Sequence, residues 1–191
     1  MKDEIKKEIT RSIQTGVYSM DNLLDLFCKD LYPGKIDAEE VKKQVIQSVE
    51  LIGVAMDEDD WPEETDSDIL WDILQINLNQ HKVLGLPNAG YTVSDGITAV
   101  NEFFDVESYN GYCFYTLQGI EGAIEGDGLH LYFGSLNEEV SAVEVGKLIA
   151  NELRKEDFQI EWNESIDKSI YIKNIEWLST LDGTDLIQYF K

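Results

Sequence analysis

The sequence has few of the residues that carry cross-links or site chemistry. Its 191 residues include two cysteines, two histidines and three prolines. Cys28 and Cys113 are isolated and make neither a disulfide framework nor the paired spacing of a metal site. No stretch reaches the ~18 apolar residues that span a bilayer, and the charged N-terminus lacks the apolar centre of a signal peptide. We therefore expect a cytoplasmic protein that has no metal, cofactor or membrane segment.

Positive charge is scarcest in the middle of the chain. Between Lys43 and Lys147 the only basic residue is Lys82, against twenty Asp and Glu, and the whole chain has a formal charge of −23. Solubility requires only interspersed charges of both signs. A one-signed field repels nucleic acid and anionic lipid and attracts cations or basic proteins. The charge pattern therefore argues against nucleic-acid and membrane binding and favours a basic protein surface as the partner.

The chain nevertheless has the composition of a folded protein. Hydrophobic residues make up 43% of it, with four Trp, nine Tyr and seven Phe, whereas a disordered acidic segment has few aromatics. Ile5, Ile9 and Ile13 recur at helical spacing, Ser19 can cap a second helix, and Asp37 can open a third. We predict a helical N-terminal module over residues 1–56.

An acidic segment without periodicity follows this module. We predict a linker loop over 57–65 because it contains a proline and no apolar repeat. It does not match a calcium-binding EF-hand loop, since Trp61 and Pro62 occupy the fifth and sixth positions. A tryptophan among exposed acids is typical of an interface anchor, although a solvated loop with the ring folded onto the core has the same composition. The predicted partner-binding residues are Asp57, Glu58, Asp59, Asp60, Trp61, Glu63 and Glu64.

The remainder, residues 66–191, has mixed helix and strand patterns. Strands are predicted at 82–86, 111–116, 128–134, 157–162 and 169–173, the last two forming a hairpin. Helices are predicted at 94–104, 117–125 and 139–154. The order of these elements indicates an α+β fold, with a mixed, partly antiparallel sheet of about five strands covered by helices on one face.

Three groups of residues carry a family resemblance. The first is Trp61-Pro62 with Thr65-Asp66-Ser67-Asp68 and Leu70. The second is Asn88-Ala89-Gly90-Tyr91-Thr92 with Ser94-Asp95-Gly96. The third is Gly111-Tyr112-Cys113-Phe114-Tyr115 with Gln118, Gly128-Leu129, Leu131 and Phe133-Gly134. In this order, from about Trp61 to Trp177, they resemble a family of uncharacterised bacterial proteins classed only as a domain of unknown function, and the helices before Trp61 would extend it.

The resemblance implies a bacterial cytoplasmic protein and transfers no activity. Family members often have His-Gln-Asp where this chain has Leu117-Gln118-Gly119, so an acid–base role there would lack two groups. Some relatives have a cysteine cluster where this chain has Ala89-Gly90-Tyr91, so that thiol chemistry is absent.

One set of residues resembles a nucleophile, a base and an orienting acid: Cys113, His130 and Asp95. Cys113 lies between two aromatic residues in a predicted core strand, and no nearby Lys or Arg would stabilise its thiolate. We therefore predict a buried, unreactive thiol and favour a protein that is not an enzyme.

Two loops, 91–95 and 115–118, are the alternative location for a site. Thr92 or Ser94 is the natural N-cap of the following helix, and no Lys or Arg between 83 and 146 is present to hold a phosphate. Tyrosines 91, 112, 115 and 132 could line a groove beside the sheet or simply be half-buried strand residues. The pocket candidates are Tyr91, Thr92, Ser94, Asp95, Tyr115 and Gln118.

The sequence leaves three functional hypotheses. The first is an acidic interaction protein, of the inhibitor or immunity type, that occupies a basic partner surface. The second is a small-molecule binder or enzyme with its site at the 91–95 and 115–118 loops. The third is a regulatory domain that binds no ligand and whose acidity reflects its host.

Overall fold

The computed structural model describes residues 1–55 and 64–178. These residues separate into two compact units, one holding residues 1–55 with Leu178 and the other holding Glu64–Trp177. Of the predicted partner-binding residues only Glu64 is described, and it is exposed. The others, Asp57, Glu58, Asp59, Asp60, Trp61 and Glu63, lie outside the described residues.

The first unit is helical, as predicted for the N-terminal part of the chain. Helix α1 spans Asp3–Gln14, α2 spans Met20–Leu24 and continues as a π-helical stretch over Asp25–Leu31, and α3 spans Ala38–Ala55. Ser19 caps α2, and its side chain accepts a hydrogen bond from the Asn22 amide. The buried core is apolar and consists of Ile5, Ile9, Ile13, Met20, Leu23, Phe27, Val41 and Val45.

The second unit contains a five-stranded mixed sheet, which confirms the α+β prediction. The strands are β1 (Val83–Leu86), β2 (Gly111–Phe114), β3 (Leu129–Ser135), β4 (Ile160–Glu161) and β5 (Ile170–Ile172). Their order in the sheet is β1-β2-β3-β5-β4. β1 and β2 are parallel, and the other neighbouring pairs are antiparallel, including the predicted β4–β5 hairpin.

Side-chain caps set where the helices of this unit begin. Thr65 caps α4 (Asp66–Asp72), which continues as a π-helical stretch over Ile73–Asn77 and as α5 (Leu78–Gln80). Thr92, rather than Ser94, caps α6 (Val93–Asn101). Thr116 caps α7 (Leu117–Ile124), so β2 ends two residues earlier than predicted. Ser141 caps α8 (Ala142–Lys155).

The two faces of the sheet differ because side chains alternate along each strand. We call one the covered face and the other the open face. Paired positions in the register point to the same side, which assigns each residue to a face. The covered face carries Gly111, Cys113, Leu129, Leu131, Phe133, Ile170 and Ile172. The open face carries Tyr112, Phe114, His130, Tyr132, Gly134 and Tyr171.

Helices pack tightly on the covered face. A Cβ on Gly111 would lie 2.6 Å from the side chain of Val145 in α8, and one on Gly119 in α7 would lie 3.1 Å from Leu129. Leu129, Leu131, Ile170 and Ile172 are fully buried there. This layer is the main apolar core of the second unit.

Among the described residues, helices cover the opposite face along only part of its width. Helix α6 packs on Phe114, and a Cβ on Gly96 of that helix would lie 2.2 Å from the phenyl ring. Phe114 is fully buried, whereas His130 is exposed and Tyr132 and Tyr171 are half-buried. The sheet therefore has a second helix-covered region over β1–β2, beyond the single helical layer predicted, and an open region over β3–β5.

Candidate functional site

The structure does not bring Cys113, His130 and Asp95 together as a catalytic set. Cys113 is fully buried on the covered face, and burial raises the pKa of its thiol. His130 lies on the other face of the sheet. The Asp95 carboxylate accepts hydrogen bonds from the backbone and hydroxyl of Thr92, at 2.8 and 2.9 Å, and these bonds lower its pKa. Asp95 therefore closes the capping box of α6 rather than orienting a base.

The 91–95 and 115–118 loops are adjacent, as a shared site would require, but they are hydrogen bonded to each other. The amide of Leu117 donates to the Gly90 carbonyl at 2.9 Å, and the amide of Gln118 donates to the Tyr91 carbonyl at 3.3 Å. Tyr115 is buried and packs edge-on against Trp177 at a ring distance of 5.7 Å. The other pocket candidates, Tyr91, Thr92, Ser94, Asp95 and Gln118, lie exposed at the surface.

A row of rings crosses the open face instead. His130 stacks on Tyr171 at 4.8 Å and lies 6.5 Å from Tyr132. Tyr132 stacks on Phe114 at 5.5 Å, and Phe114 stacks on Tyr112 at 6.0 Å. The rings come from three neighbouring strands, so the sheet pairing itself aligns them. We call the accessible part of this row, Tyr112, His130, Tyr132 and Tyr171, the tyrosine groove.

Local contacts hold the rings of the groove in place. A Cβ on Gly134 would lie 2.5 Å from the hydroxyl of Tyr112, so the missing side chain lets that ring lie over β3. The hydroxyl of Tyr171 donates to the carbonyl of Asp127 at 2.9 Å. The groove is therefore formed before any ligand binds, which lowers the entropic cost of binding.

The tyrosine groove opens into two neighbouring cavities that share Lys168 and Ser169 as lining residues. One, of about 330 Å³, lies beside Tyr112 and Tyr132. The other, of about 650 Å³, lies beside His130 and Tyr171. Both volumes are within the range of ligand sites in proteins.

Exposed apolar side chains border the smaller cavity. Val93 and Ile97 project from α6 on one side, and Ile166 projects from the β4–β5 loop on the other. Ile166 is 62% exposed, which is high for a large aliphatic residue in a cavity wall. These residues leave apolar surface available to a bound segment.

Charged and polar groups are few in the tyrosine groove. Asp167 lines the smaller cavity and Glu161 lines the larger, while Lys168 lines both. Nδ1 of His130 is hydrogen bonded to the hydroxyl of Ser169 at 2.9 Å. Desolvation lowers the pKa of His130, so the imidazole is neutral at pH 7.

Sequence reasoning missed Tyr171 and the open-face position of His130. The alternation of polar and apolar residues in Leu129–Ser135 could have placed His130 and Tyr132 on one face. Tyr171 joins them only because β5 pairs with β3, which aligns Tyr171 with His130, 41 positions earlier in the chain. No local sequence pattern encodes that pairing.

The carboxylates of the second unit lie mostly at its surface. Basic residues that follow the acidic stretch pair locally: Lys147 with Glu164 at 2.9 Å and Lys155 with Glu152 at 2.6 Å. Both of these ion pairs use acids that lie after Gly146. The exposed acids up to Gly146 are Glu64, Asp68, Asp72, Asp95, Glu102, Asp105, Glu107, Glu125, Asp127, Glu138, Glu139 and Glu144.

One exposed aromatic residue projects from this acidic surface. Phe104 follows α6 and is 91% exposed. Asp105 next to it adopts a left-handed backbone conformation with φ 64°, which turns the chain into a 3₁₀ segment at Val106–Ser108. Glu102 and Glu107 are exposed on either side. We call Glu102–Glu107 the Phe104 turn.

Within the described part of the chain, no three His, Cys, Asp or Glu side chains are grouped to hold a metal ion. In the same residues, no helix combines the length and apolar character that crossing a membrane requires.

These features define a small α+β protein with an acidic surface and an exposed aromatic groove on its sheet. The chain belongs to the family described as domain of unknown function DUF6891, whose model matches residues 1–181. No curated protein and no solved structure matches the chain. The family match begins at residue 1, so the N-terminal helices are part of the family rather than the extension expected from a resemblance over Trp61–Trp177.

Many residues that carry the family resemblance have structural roles in the second unit. Thr65 and Asp68 form the capping box of α4. Gly96 gives α6 its close contact with Phe114, and Gly134 accommodates the ring of Tyr112. Their presence therefore accounts for the shared fold without implying a shared reaction.

Proposed function

We propose that this chain is an acidic interaction protein, of the inhibitor or immunity type, that binds a basic partner surface in the cytoplasm. The observation that carries the proposal is the exposed, one-signed surface of the second unit. Between 83 and 146 the chain has no Lys or Arg, and the acids of this segment are mostly exposed. Such a surface accelerates encounter with a cationic protein and disfavours nucleic acid.

Charge alone gives fast but weakly specific association, so a specific interface also needs a desolvated contact. The Phe104 turn offers one, because a 91% exposed phenyl ring stands between exposed acids. In this proposal Phe104 inserts into an apolar pocket of the partner while Glu102 and Glu107 lie at the polar rim. The segment 57–64 has the same composition around Trp61, and we propose it as a second contact of the same kind.

The test begins with capture of basic proteins from host lysate on the immobilised full chain at low salt. The captured protein is then purified and its association and dissociation rates are measured at ~0.02 M and ~0.3 M salt, because screening lengths differ strongly between these conditions. We expect the association rate to fall steeply with salt.

Matched variants test whether the location of the charge matters. E102Q/E107Q should slow association several-fold at low salt, whereas E138Q/E139Q removes the same charge from another exposed segment and should have a smaller effect. Asp57, Asp59 and Asp60 changed together to Asn test the predicted loop in the same way. Equal effects of E102Q/E107Q and E138Q/E139Q would argue against the Phe104 turn as the contact.

The hydrophobic contact is tested through dissociation. Phe104→Ala should speed dissociation with little change in association, since a buried anchor acts after encounter. Trp71→Ala is the matched control, because Trp71 is also an exposed aromatic residue, at 49%, outside the Phe104 turn. If no basic protein is captured and the charge variants behave like the parent, the interaction proposal fails.

A further inference from the structure

The rings of the tyrosine groove stack on one another in pairs and keep part of their surface in contact with solvent. His130 is exposed, and Tyr112, Tyr132 and Tyr171 are half-buried. Three kinds of group stack on exposed aromatic faces: nucleobases, other aromatic rings and cations. The charge of the molecule distinguishes between them.

A nucleotide or oligonucleotide would bring phosphates into a field set by a formal charge of −23. Among the described residues, Lys168 lines both cavities, Asp167 lines the smaller one, and the Glu161 carboxylate in the larger one is ion-paired with Lys173. A cation is attracted both by the negative faces of the rings and by the negative charge of the surrounding surface. Among cations, the planar guanidinium of arginine also stacks and donates several hydrogen bonds in a fixed geometry.

The dimensions of the groove suit a short extended chain. The groove crosses β2, β3 and β5, and the larger cavity extends it over β4; neighbouring strands are ~4.8 Å apart, so the groove and this cavity together are about 14 Å long. An extended segment advances ~3.3 Å per residue, so about four residues cover this length. The apolar walls at Val93, Ile97 and Ile166 can pack against the stems of its side chains.

We infer that the tyrosine groove binds a short, extended, arginine-containing segment of the basic partner, with one guanidinium stacked on Tyr132 or Tyr171. The inference rests on the proposed function in one respect: it assumes that the partner is basic. Asp167 in the smaller cavity lies where it can pair with the guanidinium or a neighbouring basic side chain, whereas Glu161 in the larger cavity already pairs with Lys173. Ser169, shared by both cavities, is positioned to accept a hydrogen bond.

A substitution at Lys168 tests whether the bound ligand is positively or negatively charged. It lines both cavities and is exposed. If the occupant is cationic, Lys168→Ala removes a like charge and should tighten binding a few-fold. If the occupant is anionic, the same change removes the attracting group and should weaken binding.

The probe is a set of three synthetic peptides of about eight residues, identical except that each basic position is arginine, lysine or citrulline. Citrulline keeps the shape of arginine without its charge. Binding to the full chain is measured by calorimetry and by the NMR shifts of tyrosine ring resonances. We expect the affinity order arginine, lysine, citrulline, with the largest shifts at Tyr132 and Tyr171.

Ring variants locate the site. Tyr132→Leu and Tyr171→Leu should each weaken arginine-peptide binding about five-fold, the equivalent of ~1 kcal/mol for a cation–π contact. Tyr132→Phe and Tyr171→Phe keep the rings and should retain most of the affinity. Tyr91→Leu is the matched control, because Tyr91 is an exposed tyrosine outside the groove. Thermal unfolding of each variant separates loss of binding from loss of fold.

The outcomes separate this inference from the proposed function. If the arginine peptide binds with a steep salt dependence but the Leu variants bind like the parent, the acidic surface is the contact and the groove inference fails. If N-acetyl-arginine amide shifts the Tyr132 and Tyr171 resonances although no basic protein is captured, the groove is supported and the proposed function fails. If a uridine oligonucleotide binds instead and Lys168→Ala weakens it, the groove inference is overturned.

Discussion

The two faces of the sheet in the second unit are built from the same strands but have different roles. On the covered face, alternate residues such as Leu131 and Cys113 are fully buried under helices. On the open face, the residues between them, such as His130 and Tyr132, remain in contact with solvent. A shift of one position along a strand therefore changes a residue from a packing element into a potential binding element.

The contrast between the two faces separates residues that maintain the fold from residues that are available for binding. The motifs of the family resemblance include glycines that let helices or rings approach the sheet, as at Gly96 and Gly134. Both of these glycines shape the packing on the open face. Tyr171 lies outside those motifs, and it completes the open-face row through the β3–β5 pairing.

The largest predicted difference between the faces is in thiol reactivity. Cys113 should react with a thiol reagent only after unfolding, because it is fully buried and burial raises its pKa. A cysteine introduced by S169C, on the wall of both open-face cavities, should react at least ~10³-fold faster, given the free energy that global opening requires. The measurement is labelling at neutral pH with C28S in the background. Comparable rates for the two sites would contradict the assignment of Cys113 to a closed face.

The next prediction compares neighbouring residues on β3. Leu131→Ala should lower the free energy of unfolding by about 2–5 kcal/mol, because a fully buried leucine leaves a cavity. His130→Ala, one position away on the open face, should lower it by less than about 1 kcal/mol. Denaturant unfolding of both variants tests this. A large loss for His130→Ala would mean that the open face is also part of the core.

Replacing two helical glycines with alanine should change the free energy of unfolding in opposite directions. Gly96→Ala should cost about 1–3 kcal/mol, because its Cβ would overlap the ring of Phe114 at 2.2 Å. Gly122→Ala in α7 should instead stabilise the protein by about 0.4–1 kcal/mol, since its Cβ would meet only ordinary contacts from 3.8 Å. Equal stability changes would show that α6 does not depend on this glycine to pack on the sheet.

The smallest expected effect is the pH dependence of binding at the groove. Desolvation lowers the pKa of His130 from 6.5, so protonation occurs only as the pH falls below that value. The imidazolium and Lys168 would then both repel a bound arginine, against the attraction of Asp167. Affinity for the arginine peptide should therefore drop a few-fold between pH 7 and 5. His130→Asn should remove most of this drop, and a drop that persists in this variant would assign it to other groups.

Much of the fold followed from local patterns in the chain. The spacing of Ile5, Ile9 and Ile13 predicted α1. Each of the five predicted strand segments contains or overlaps one strand of the sheet. Ser19 was recognised as a cap, because a cap depends on residues three positions apart. The sequence was compatible with either Thr92 or Ser94 as the N-cap of α6, and the structure shows that the cap is Thr92.

The candidate site was less accessible to sequence reasoning. Tyr112 and Tyr132 were considered together with Tyr91 and Tyr115 as possible groove residues, but alternation in the strand and the turn after β2 place Tyr115 in the core. Cys113 and His130 fall within the predicted strands 111–116 and 128–134, and they lie on the paired strands β2 and β3. Their side chains point to opposite faces, which only the register of the two strands decides.

The sequence alone determined the charge of the molecule, the helical character of its first third and the alternation of helix and strand that follows, because these depend on composition and on neighbours a few residues apart. Tertiary structure decided which strand pairs with which, which residues share a face, and where α6 stops covering the sheet. Those features depend on contacts between distant segments, such as Gly96 with Phe114 and His130 with Tyr171. The tyrosine groove arises from that long-range pairing. The negative charge of the surface, by contrast, follows from the composition of the chain alone.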